Sequence, residues 1–404
     1  MENILNYLDN QKQKVIELQK NLVSRPALAP ENGGEGEIKK AEYLLSYLKK
    51  YSSLIIKELP AEDKRVPSKK RPNIAAILSG KETDRTIWIV SHLDIVPPGD
   101  LSLWESDPYV LRQQGDYIYG RGVEDNHQGI VSSILALEAF INTSTKPRVN
   151  MGVLLVADEE TGNKYGLEFL FEHHKDLFTQ KDCFLVPDFG SKDSDLIEIA
   201  EKGVLWLKIE VLGKQCHGST PEKGINSLVA TADLIMRLRR LYKIFDSQDP
   251  LFSPPISTFE PTKKEPNVPN INTIPGKDVF YLDCRILPSY ELSQVIEVIK
   301  KISRETEKDY GVQINLETIH GLSSPPTDRE NEFVKKLADA VFDEYNISPK
   351  FMGVGGGTVA VYPRKNNIPA AVWATIFGTA HQPNECSSIK NTLKDAKVMA
   401  RLLL

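Results

Sequence analysis

The sequence predicts an α/β protein: a mixed, mostly parallel sheet flanked by helices, with a smaller α+β domain inserted into it. Three apolar runs predict buried strands, at residues 86–90, 149–156 and 183–186. Each run leads into acidic or imidazole side chains, and helical patterns lie between the runs. Because ligands bind at the carboxyl ends of strands in open α/β sheets, this pattern predicts a site along one edge of the sheet.

Size and composition indicate two soluble domains. The 404 residues exceed what one hydrophobic core usually organises. A hydrophobic content of 41% and a charged content of 26% are typical of a soluble globular protein. The formal charge of -5 gives no basic surface for nucleic acid, and no apolar run approaches the roughly 18 residues that span a bilayer. We therefore expect neither nucleic acid nor a membrane as a partner.

Cysteine usage indicates a reducing compartment. The four cysteines are scattered and form no C-x-x-C pair, which argues against both a zinc ribbon and a disulfide framework. The N-terminal residues open an amphipathic helix rather than a signal peptide. The sequence therefore predicts a cytoplasmic protein.

Hydrophobic spacing predicts the elements of the first domain. Apolar residues recur at helical spacing at residues 4–22, 38–51 and 129–140, and shorter apolar runs at 54–59 and 73–78 read as strands. The composition changes after Gly203, where polar alternation begins. The elements predicted there are strands at 204–212, 279–286 and 312–318, helices at 225–241 and 292–306, and a proline-rich loop at 249–269.

The first domain resumes after the insertion. A helix ending at Tyr345, a Gly-rich turn at 353–358, a strand at 370–375 and a final helix from Leu393 complete the chain. The expected division is a first domain formed by residues 1–203 and 320–404, with a second domain at 204–319 inserted between its two parts.

His92 and Asp94 follow the first buried strand. Alternate residues of a strand point to the same side, so the two side chains are expected to emerge together. A histidine with a carboxylate two residues later suggests a metal ligand beside the group that orients its ring. A capping histidine followed by a loop aspartate is the alternative, and this pair alone leaves both readings open.

Further candidate ligands stand at the ends of predicted elements in the same domain. With His92 they are Asp125, Glu159, Glu160, Asp188 and His381. Mixed nitrogen and oxygen ligands suit zinc, cobalt or manganese and argue against a thiolate site. Two histidines and about three carboxylates suffice for two adjacent metals if one carboxylate bridges them. One carboxylate must then stay free as a general base, and Glu159 and Glu160 could divide these roles.

Four motifs resemble the signature of a known superfamily. They are residues 92–97 (HLDIVP), 120–125 (GRGVED), 158–162 (DEETG) and 217–221 (HGSTP). Together they resemble the co-catalytic zinc family of aminoacylases, acetylornithine deacetylases, succinyl-diaminopimelate desuccinylases, glutamate carboxypeptidases and dipeptidases. The resemblance covers nearly the whole chain, with the motifs in order and the inserted domain in the matching place.

The resemblance implies two divalent metal ions, zinc first, with cobalt or manganese as alternatives. His92 and Asp188 would be ligands of one ion, and Glu160 and His381 ligands of the other. Asp125 would bridge both ions. The Asp188 assignment is open, because many relatives carry a longer glutamate there and Asp193 or Asp195 could take its place.

The resemblance also implies two roles beside the ligands. Asp94 would orient the ring of His92, and Glu159 would be the general base. The chain departs from the family at residues 126–129 (NHQG), where relatives usually carry a lysine two residues before the helix glycine. Gln128 cannot supply that charge. His127 is an alternative ligand that we disfavour, because it is expected at a helix start and facing away.

The resemblance implies that residues 1–203 and 320–404 form the catalytic domain and residues 204–319 a lid and dimerisation domain. It assigns substrate contacts to this inserted domain and to the Gly-rich turn. His217 would stabilise a developing oxyanion, in its own or a partner subunit, because such lids commonly carry a homodimer interface. Asn272 and Arg285 match positions that hold the substrate, and a guanidinium suits a carboxylate. Gly356 and Thr358 could present backbone N–H groups. The structural alternatives are a surface histidine for His217, an interstrand salt bridge for Arg285 and a tight turn for the Gly-rich segment.

The combined prediction is a metal-dependent hydrolase of amide bonds. It would cleave an N-acyl amino acid or short peptide with a free carboxylate, in the manner of a deacetylase or desuccinylase, through a metal-activated water and the Glu159 base. A metallo-carboxypeptidase or dipeptidase with the same chemistry is the alternative. A single-metal enzyme and a non-catalytic metal-binding scaffold are more remote alternatives.

Overall fold

The computed structural model describes residues 1–404 and contains eleven α-helices and nineteen strands. The helices are α1 (Glu2–Asp9), α2 (Lys12–Val23), α3 (Ile38–Leu48), α4 (His127–Asn142), α5 (Leu167–His173), α6 (Ser227–Leu238), α7 (Leu241–Ile244), α8 (Leu292–Tyr310), α9 (Glu332–Tyr345), α10 (Val361–Lys365) and α11 (Ile389–Leu402). The strands are β1 (Leu54–Glu58), β2 (Ala61–Glu62), β3 (Lys70–Arg71), β4 (Ile74–Leu78), β5 (Glu82–His92), β6 (Arg112–Gln114), β7 (Tyr117–Tyr119), β8 (Val149–Val156), β9 (Cys183–Ser191), β10 (Leu196–Glu201), β11 (Gly203–Leu212), β12 (Cys216–His217), β13 (Thr258–Lys264), β14 (Thr273–Ile274), β15 (Lys277–Ile286), β16 (Gln313–Leu322), β17 (Lys350–Val354), β18 (Ala370–Thr375) and β19 (Cys386–Ser388). None of the helices combines the length and the apolar composition that a membrane span requires.

The chain divides into two compact units. The main unit comprises Met1–Ile199, Thr327–Met352 and Thr358–Leu404. The inserted unit comprises Ala200–Pro326 and Gly353–Gly357. Most of the Gly-rich turn, which we expected in the second part of the catalytic domain, therefore clusters with the inserted unit. The lid and dimerisation roles of that unit stay predictions.

The predicted α/β fold class is confirmed by the main unit. Its central sheet has eight strands in the order β1-β4-β8-β5-β9-β18-β10-β17. The central strands β8, β5, β9 and β18 run parallel, whereas β1, β4 and β10 pair antiparallel with their neighbours. Helix α4 packs against β5, β8 and β9, and α11 packs against α4, α9 and β18. The mixed sheet is thus parallel at its centre, where the candidate ligands follow the strands.

Strand β5 is buried along its second half because apolar side chains fill both of its faces. Trp88 is almost fully buried, and its ring lies edge-on to Phe178 with centroids 5.6 Å apart. On the neighbouring strand β8, a Cβ atom at Gly152 would lie 2.3 Å from the Trp88 ring, so only glycine leaves room for the indole there. This packing fixes the strand that ends at His92.

Strand β9 bulges at the candidate ligand Asp188. Its pairing with β18 advances from Val186 opposite Val372 to Gly190 opposite Ala374, which leaves extra residues on β9. A bulge re-aims the side chains of the bulged segment. We predicted that this strand finishes in the carboxylate, but it continues to Ser191.

The inserted unit is an antiparallel sheet with helices on one face. The strand order is β13-β15-β11-β16, and both α6 and α8 pack against the sheet. Alternate residues of β11 are buried, namely Leu205, Leu207, Ile209 and Val211. Helix α8 begins with a capping box and ends at Gly311, whose φ of 70° is in the left-handed region that favours glycine. This unit has the α+β character that the polar alternation predicts.

Two predicted elements differ from the structure. Residues 4–22 form two helices rather than one, because the chain leaves helical geometry at Asn10 and Gln11. Residues 249–269 contain strand β13 where we predicted only a loop. The prediction was wrong because Pro261 lies where the pairing of β13 with β15 shifts register, and prolines are tolerated at such irregular positions and on edge strands.

Candidate active site

Two groups of side chains in the main unit each bring three candidate ligand atoms together. One group is His92, Asp125 and Asp188, and the other is Asp125, Glu160 and His381, with the atoms of each group within 4.8 Å of one another. Oδ1 of Asp125 lies 2.8 Å from Nε2 of His92, and Oδ2 lies 3.1 Å from Nε2 of His381. The structure therefore brings all five residues together, with Asp125 between the two histidines.

The turn after β5 holds the ring of His92. Nδ1 of His92 lies 3.0 Å from the backbone oxygen of Asp94 and 3.5 Å from its carboxylate, so the carbonyl is the nearer partner. The Asp94 carboxylate instead accepts the N–H groups of Glu159, at 3.1 Å, and Glu160, at 3.0 Å. Burial opposes ionisation, but the His92 contact and these two amides hold the pKa of Asp94 below its ordinary value. Asp94 thus connects the His92 turn to the Glu159–Glu160 turn.

Glu159 and Glu160 lie together on a single 3₁₀ turn after β8, and their side chains diverge. Oε2 of Glu160 lies 3.1 Å from Nε2 of His381. The carboxylate of Glu159 accepts no hydrogen bond from the chain, and burial raises its pKa well above the ordinary value, although His92 opposes this rise. The carboxylates of Asp125 and Asp188 raise the pKa of Glu159 further. The two adjacent glutamates therefore have different environments.

A buried ion pair that the sequence did not reveal supports this turn. Nε of Arg71 donates to the two carboxylate oxygens of Glu37 at 3.0 and 2.8 Å, and Nη2 lies 3.3 Å from Oδ1 of Asp158. Asp158 begins the 3₁₀ turn with φ of 65°. Arg71 lies in a basic segment that reads as a solvated loop, so only its contacts in three dimensions identify it.

The bulge of β9 aims Asp188 at His92. Oδ1 of Asp188 lies 3.6 Å from Nε2 of His92 and accepts a hydrogen bond from Nδ2 of Asn126 at 2.5 Å. Neither Asp193 nor Asp195 belongs to a ligand group. The geometry therefore favours Asp188 over the two alternatives that the sequence left open.

The turn that carries Asp125 is fixed by Glu385, which follows His381 in the sequence. The buried Glu385 carboxylate accepts the N–H groups of Gly122, Glu124 and Asp125 at 2.9, 2.9 and 3.0 Å. Nη1 of Arg121 donates to it at 2.7 Å. Burial nevertheless raises the pKa of Glu385 to about 7.

The turn that carries His381 is fixed in return by Glu124, which precedes Asp125. The Glu124 carboxylate accepts the N–H groups of Phe377, Gly378 and Thr379 and the hydroxyl of Thr379, the last at 2.7 Å. His381 has φ of 65°, a left-handed conformation that is uncommon for histidine. Glu124 and Glu385 thus form a reciprocal clasp between two ligand turns, which we call the glutamate clasp. Both glutamates lie close in sequence to a candidate ligand, and this position could have identified them from the sequence.

His127, the disfavoured alternative ligand, belongs to neither ligand group. It is buried at the start of α4, with Nε2 2.7 Å from Nζ of Lys40. A Cβ atom at Gly122 would lie 2.6 Å from the His127 ring, so the glycine leaves room for the imidazole. His127 therefore faces a lysine from α3 rather than the two ligand groups.

His217 and Asn272 lie close together in the inserted unit. Strand β12, which ends at His217, pairs with β14, and the N–H of Gly218 donates to the backbone oxygen of Asn272 at 2.7 Å. His217 is exposed, and its Nδ1 accepts the N–H of Ser219 at 3.2 Å. The neutral ring then carries its proton on Nε2, which is free to donate.

Arg285 lies on β15 and is held by its own strand. Nε and Nη2 donate to the Asp283 carboxylate at 2.7 and 3.1 Å, and Nη1 donates to the backbone oxygen of Gly355 at 3.0 Å. Gly356 is exposed in the same turn, whereas Thr358 belongs to the main unit. The structural alternative of an interstrand bridge is wrong in detail, because the ion pair lies within one strand.

The donor set fits divalent metal ions. The two groups offer only imidazole nitrogens and carboxylate oxygens, the ligands that suit zinc and similar ions. Five carboxylates (Asp94, Asp125, Glu159, Glu160 and Asp188) converge on two histidines, and neighbouring negative charges oppose ionisation unless cations balance them. Two such cations would satisfy the cluster.

Sequence comparison identifies the family. The model of peptidase family M20/M25/M40 matches residues 88–404, more than half of the chain. The chain belongs to this family. It is therefore a metal-dependent hydrolase of amide bonds, as the sequence predicts, and the two ligand groups are candidate sites for the divalent metals that M20/M25/M40 enzymes use.

Two relatives of this M20/M25/M40 chain align with it over nearly its full length. An uncharacterized metallohydrolase of Methanococcus maripaludis is 41% identical over 409 residues, which cover 96% of this chain and 98% of the relative. A succinyl-diaminopimelate desuccinylase of Rickettsia bellii is 27% identical over 382 residues, 93% of this chain and 92% of the relative. The structure of aminopeptidase PepT from Bacillus cereus has a TM-score of 0.77 at 18% identity, over 97% of this chain and 98% of that chain. At this identity the structural likeness supports the fold alone.

Proposed function

We propose that this M20/M25/M40 member hydrolyses the amide bond of an N-acyl amino acid or short peptide that carries a free carboxylate. The main support is the pair of candidate ligand groups that share Asp125. Beside them lies the carboxylate of Glu159, which accepts no hydrogen bond from the chain. A deacetylase or desuccinylase type is favoured because a desuccinylase is among the relatives that align with nearly the whole chain. A carboxypeptidase or dipeptidase with the same chemistry is the alternative.

Two divalent cations are part of the proposal, with zinc first and cobalt or manganese as alternatives. His92, Asp125 and Asp188 would hold one cation, and Asp125, Glu160 and His381 the other. A bound divalent cation lowers the pKa of a water molecule and polarises a carbonyl group. The residues around the cations then have to orient the substrate and move protons.

Glu159 is the proton carrier in this proposal. Its carboxylate is free of hydrogen bonds from the chain, and burial raises its pKa above the ordinary value, which makes it a stronger proton acceptor. Glu159 takes a proton from the attacking water at a carboxylate oxygen. It delivers this proton to the leaving nitrogen as the C–N bond breaks, which gives the acid and the free amine. Asp94 positions Glu159 by accepting its backbone N–H.

Three residues of the inserted unit are proposed to bind the substrate. The free Nε2–H of His217 suits a developing oxyanion, for which one donor contributes about 2.7–4 kcal/mol in other enzymes. Asn272 lies beside His217 and can add a neutral hydrogen-bonding group. Asp283 holds the guanidinium of Arg285 in a fixed orientation, which suits recognition of the substrate carboxylate. Gly356 and Thr358 are proposed to add backbone N–H groups.

The proposal includes a homodimer formed through the inserted unit. Helix α6 exposes Leu228, Val229 and Met236, which supports a contact with a second copy. Light scattering tests this part. The four free cysteines support the cytoplasmic location that we predict.

A hydrolysis screen tests the proposed function. Acetyl-, succinyl- and aminoacyl-amino acids are incubated with the protein and added zinc, cobalt or manganese, beside the matched variant Glu159→Gln. We expect release of the free amine from acyl-amino acids by the wild-type protein only, and weaker release when the substrate carboxylate is amidated. Cleavage of peptides alone would favour the exopeptidase. Metal binding without turnover of any amide would favour the scaffold.

A further inference from the structure

Lys40 is a fully buried lysine that the proposed mechanism does not use. It lies on α3, and its side chain has no exposed surface. A buried ammonium group is costly unless hydrogen bonds and opposite charges compensate it. The groups that contact Lys40 therefore indicate its role in the structure.

The ammonium group of Lys40 connects two turns that carry candidate ligands. Nζ donates to the backbone oxygen of Leu93 at 2.7 Å and lies 2.7 Å from Nε2 of His127. Leu93 is the residue between His92 and Asp94. His127 comes two residues after Asp125, and its N–H donates to the backbone oxygen of Gly122 at 2.9 Å, which closes the Asp125 turn. One side chain from α3 thus bonds to both turns.

Three carboxylates lie near the buried amino group of Lys40. Burial lowers the pKa of Lys40 to about 7, and the carboxylates of Asp94, Glu37 and Glu385 oppose this decrease. Each of the three carboxylates also contacts either a turn that carries a candidate ligand or a residue that supports such a turn. Lys40 therefore lies close to carboxylates that support the turns with the candidate ligands.

An apolar side chain would fill the same space without these bonds. A methionine has nearly the length of lysine, but it would leave the Leu93 carbonyl and the His127 ring nitrogen without their partner. Lys14 on α2 offers a comparison, because its ammonium group pairs with a buried carboxylate, that of Glu138 on α4, at 2.6 Å. The other partners of the Glu138 carboxylate are tyrosine hydroxyls, so this ion pair links helices away from the turns that carry the candidate ligands.

We propose that Lys40 is a positioning residue of the metal centre, and that its bonds to the Leu93 carbonyl and to His127 fix the spacing between the His92 and Asp125 turns. The inference rests on the proposed function, because it assumes that those turns hold metal ions. Lys40 acts on the metal through the ligands and touches neither metal nor substrate.

The test compares Lys40→Met with the matched variant Lys14→Met in the full-length protein. Cobalt affinity is measured by competition with a chelator, and the visible absorption spectrum of the cobalt-loaded protein reports ligand geometry. Substitution of residues behind metal ligands typically lowers affinity or activity by about 10- to 100-fold. We expect Lys40→Met to lose affinity by about that factor and to change the cobalt spectrum, with a decrease in kcat larger than any change in KM. Lys14→Met should lose thermal stability only.

A second variant covers the case in which Lys40→Met does not fold. Lys40→Gln keeps a donor for the Leu93 carbonyl but lacks the charge, and it should give an intermediate loss of cobalt affinity. Wild-type affinity and spectrum in the folded Lys40 variants would overturn the inference. If the wild-type protein itself bound no cobalt, zinc or manganese, the proposed function would fall first, so the two failures are distinguishable.

Discussion

At the scale of single residues, the environment decides what each carboxylate can do. Glu159 and Glu160 are adjacent and chemically identical, yet only Glu160 contacts His381. The carboxylate of Asp94 accepts both of their backbone N–H groups, so the two side chains start from one fixed turn. Burial then raises the pKa of Glu159. These contacts support the proposed division, with Glu159 as base and Glu160 as ligand, since the residue type is the same.

Glu159→Gln should slow turnover strongly and retain the metal. The substitution preserves shape but removes the proton acceptor, and general base catalysis typically contributes about 10²- to 10⁴-fold in rate. We expect kcat to fall by about that factor with unchanged metal content, measured by steady-state kinetics and elemental analysis. Glu160→Gln is the control and should lose metal as well. A Glu159→Gln variant with wild-type kcat would refute the assigned role.

Metal binding should release protons. In the protein without metal, Asp125 and Glu160 raise the pKa of His381 to about 10. Burial opposes protonation of His92, but contacts with Asp125 and Asp188 raise its pKa well above the ordinary value. Because imidazole ligands must be neutral, binding should release at least the His381 proton near neutral pH, and affinity should rise with pH up to about 10.

The raised pKa of His381 also makes the stability of the metal-free fold depend on pH. A raised pKa of His381 stabilises the metal-free fold below about pH 6.5, the unfolded value, and this contribution is lost as the pH rises through about 10. Calorimetric titration with metal, in buffers of different ionisation enthalpy, counts the released protons. An affinity that does not change between about pH 7 and 9 would contradict this account.

At the scale of elements, the ligand turns depend on each other through the glutamate clasp of Glu124 and Glu385. Each glutamate lies next to, or a few residues from, one ligand and accepts N–H groups from the turn of the other ligand. Because these carboxylates join segments about 260 residues apart, their effect is long-range. The clasp ties the start of α4 to the loop before α11.

Glu385→Gln should weaken both the fold and the metal site. At about pH 8 the ionised Glu385 accepts several N–H groups, and an amide would direct its own donor at one of them. We expect the free energy of unfolding to fall by about 1–3 kcal/mol and metal affinity to fall by about 10- to 100-fold. Chemical denaturation and chelator competition measure the two quantities.

Glu330→Gln is the matched control for the clasp. Glu330 is exposed and pairs with Lys335 at 2.7 Å, and such surface pairs contribute little. It should keep wild-type stability and metal affinity. Equal behaviour of the Glu385 and Glu330 variants would argue against the clasp.

Local sequence patterns predict the strands and the candidate ligands, but not the contacts that aim them. The run that ends at His92 has the apolar pattern of a buried strand, and this pattern follows from local periodicity. The bulge at Asp188 and the partners of Arg71 arise from pairing between distant segments, which no local pattern encodes. Strand β13 could not be predicted because proline disfavours strands in general, yet the irregular pairing of β13 accommodates Pro261.

At the scale of the whole molecule, the fold separates two tasks. The main unit gathers the ligand groups at the carboxyl edge of parallel strands, as expected for an α/β sheet. The inserted unit carries His217, Asn272 and Arg285, which are proposed to bind the substrate. The family and the amide-hydrolase class could be predicted from four short motifs, because metal ligands and a general base restrict residue type at fixed positions. The acyl group of the substrate has no comparable pattern in the sequence.

We infer that two metal sites share Asp125, and the number of metal ions bound per chain tests this inference. Protein purified without chelator is dialysed against zinc, cobalt or manganese, and bound metal is counted by elemental analysis and native mass spectrometry. We predict two cations per wild-type chain, one per chain of His381→Ala, and two per chain of the control Asp193→Asn, which lies outside both ligand groups. No more than one cation in the wild-type protein, or two in His381→Ala, would contradict the inference.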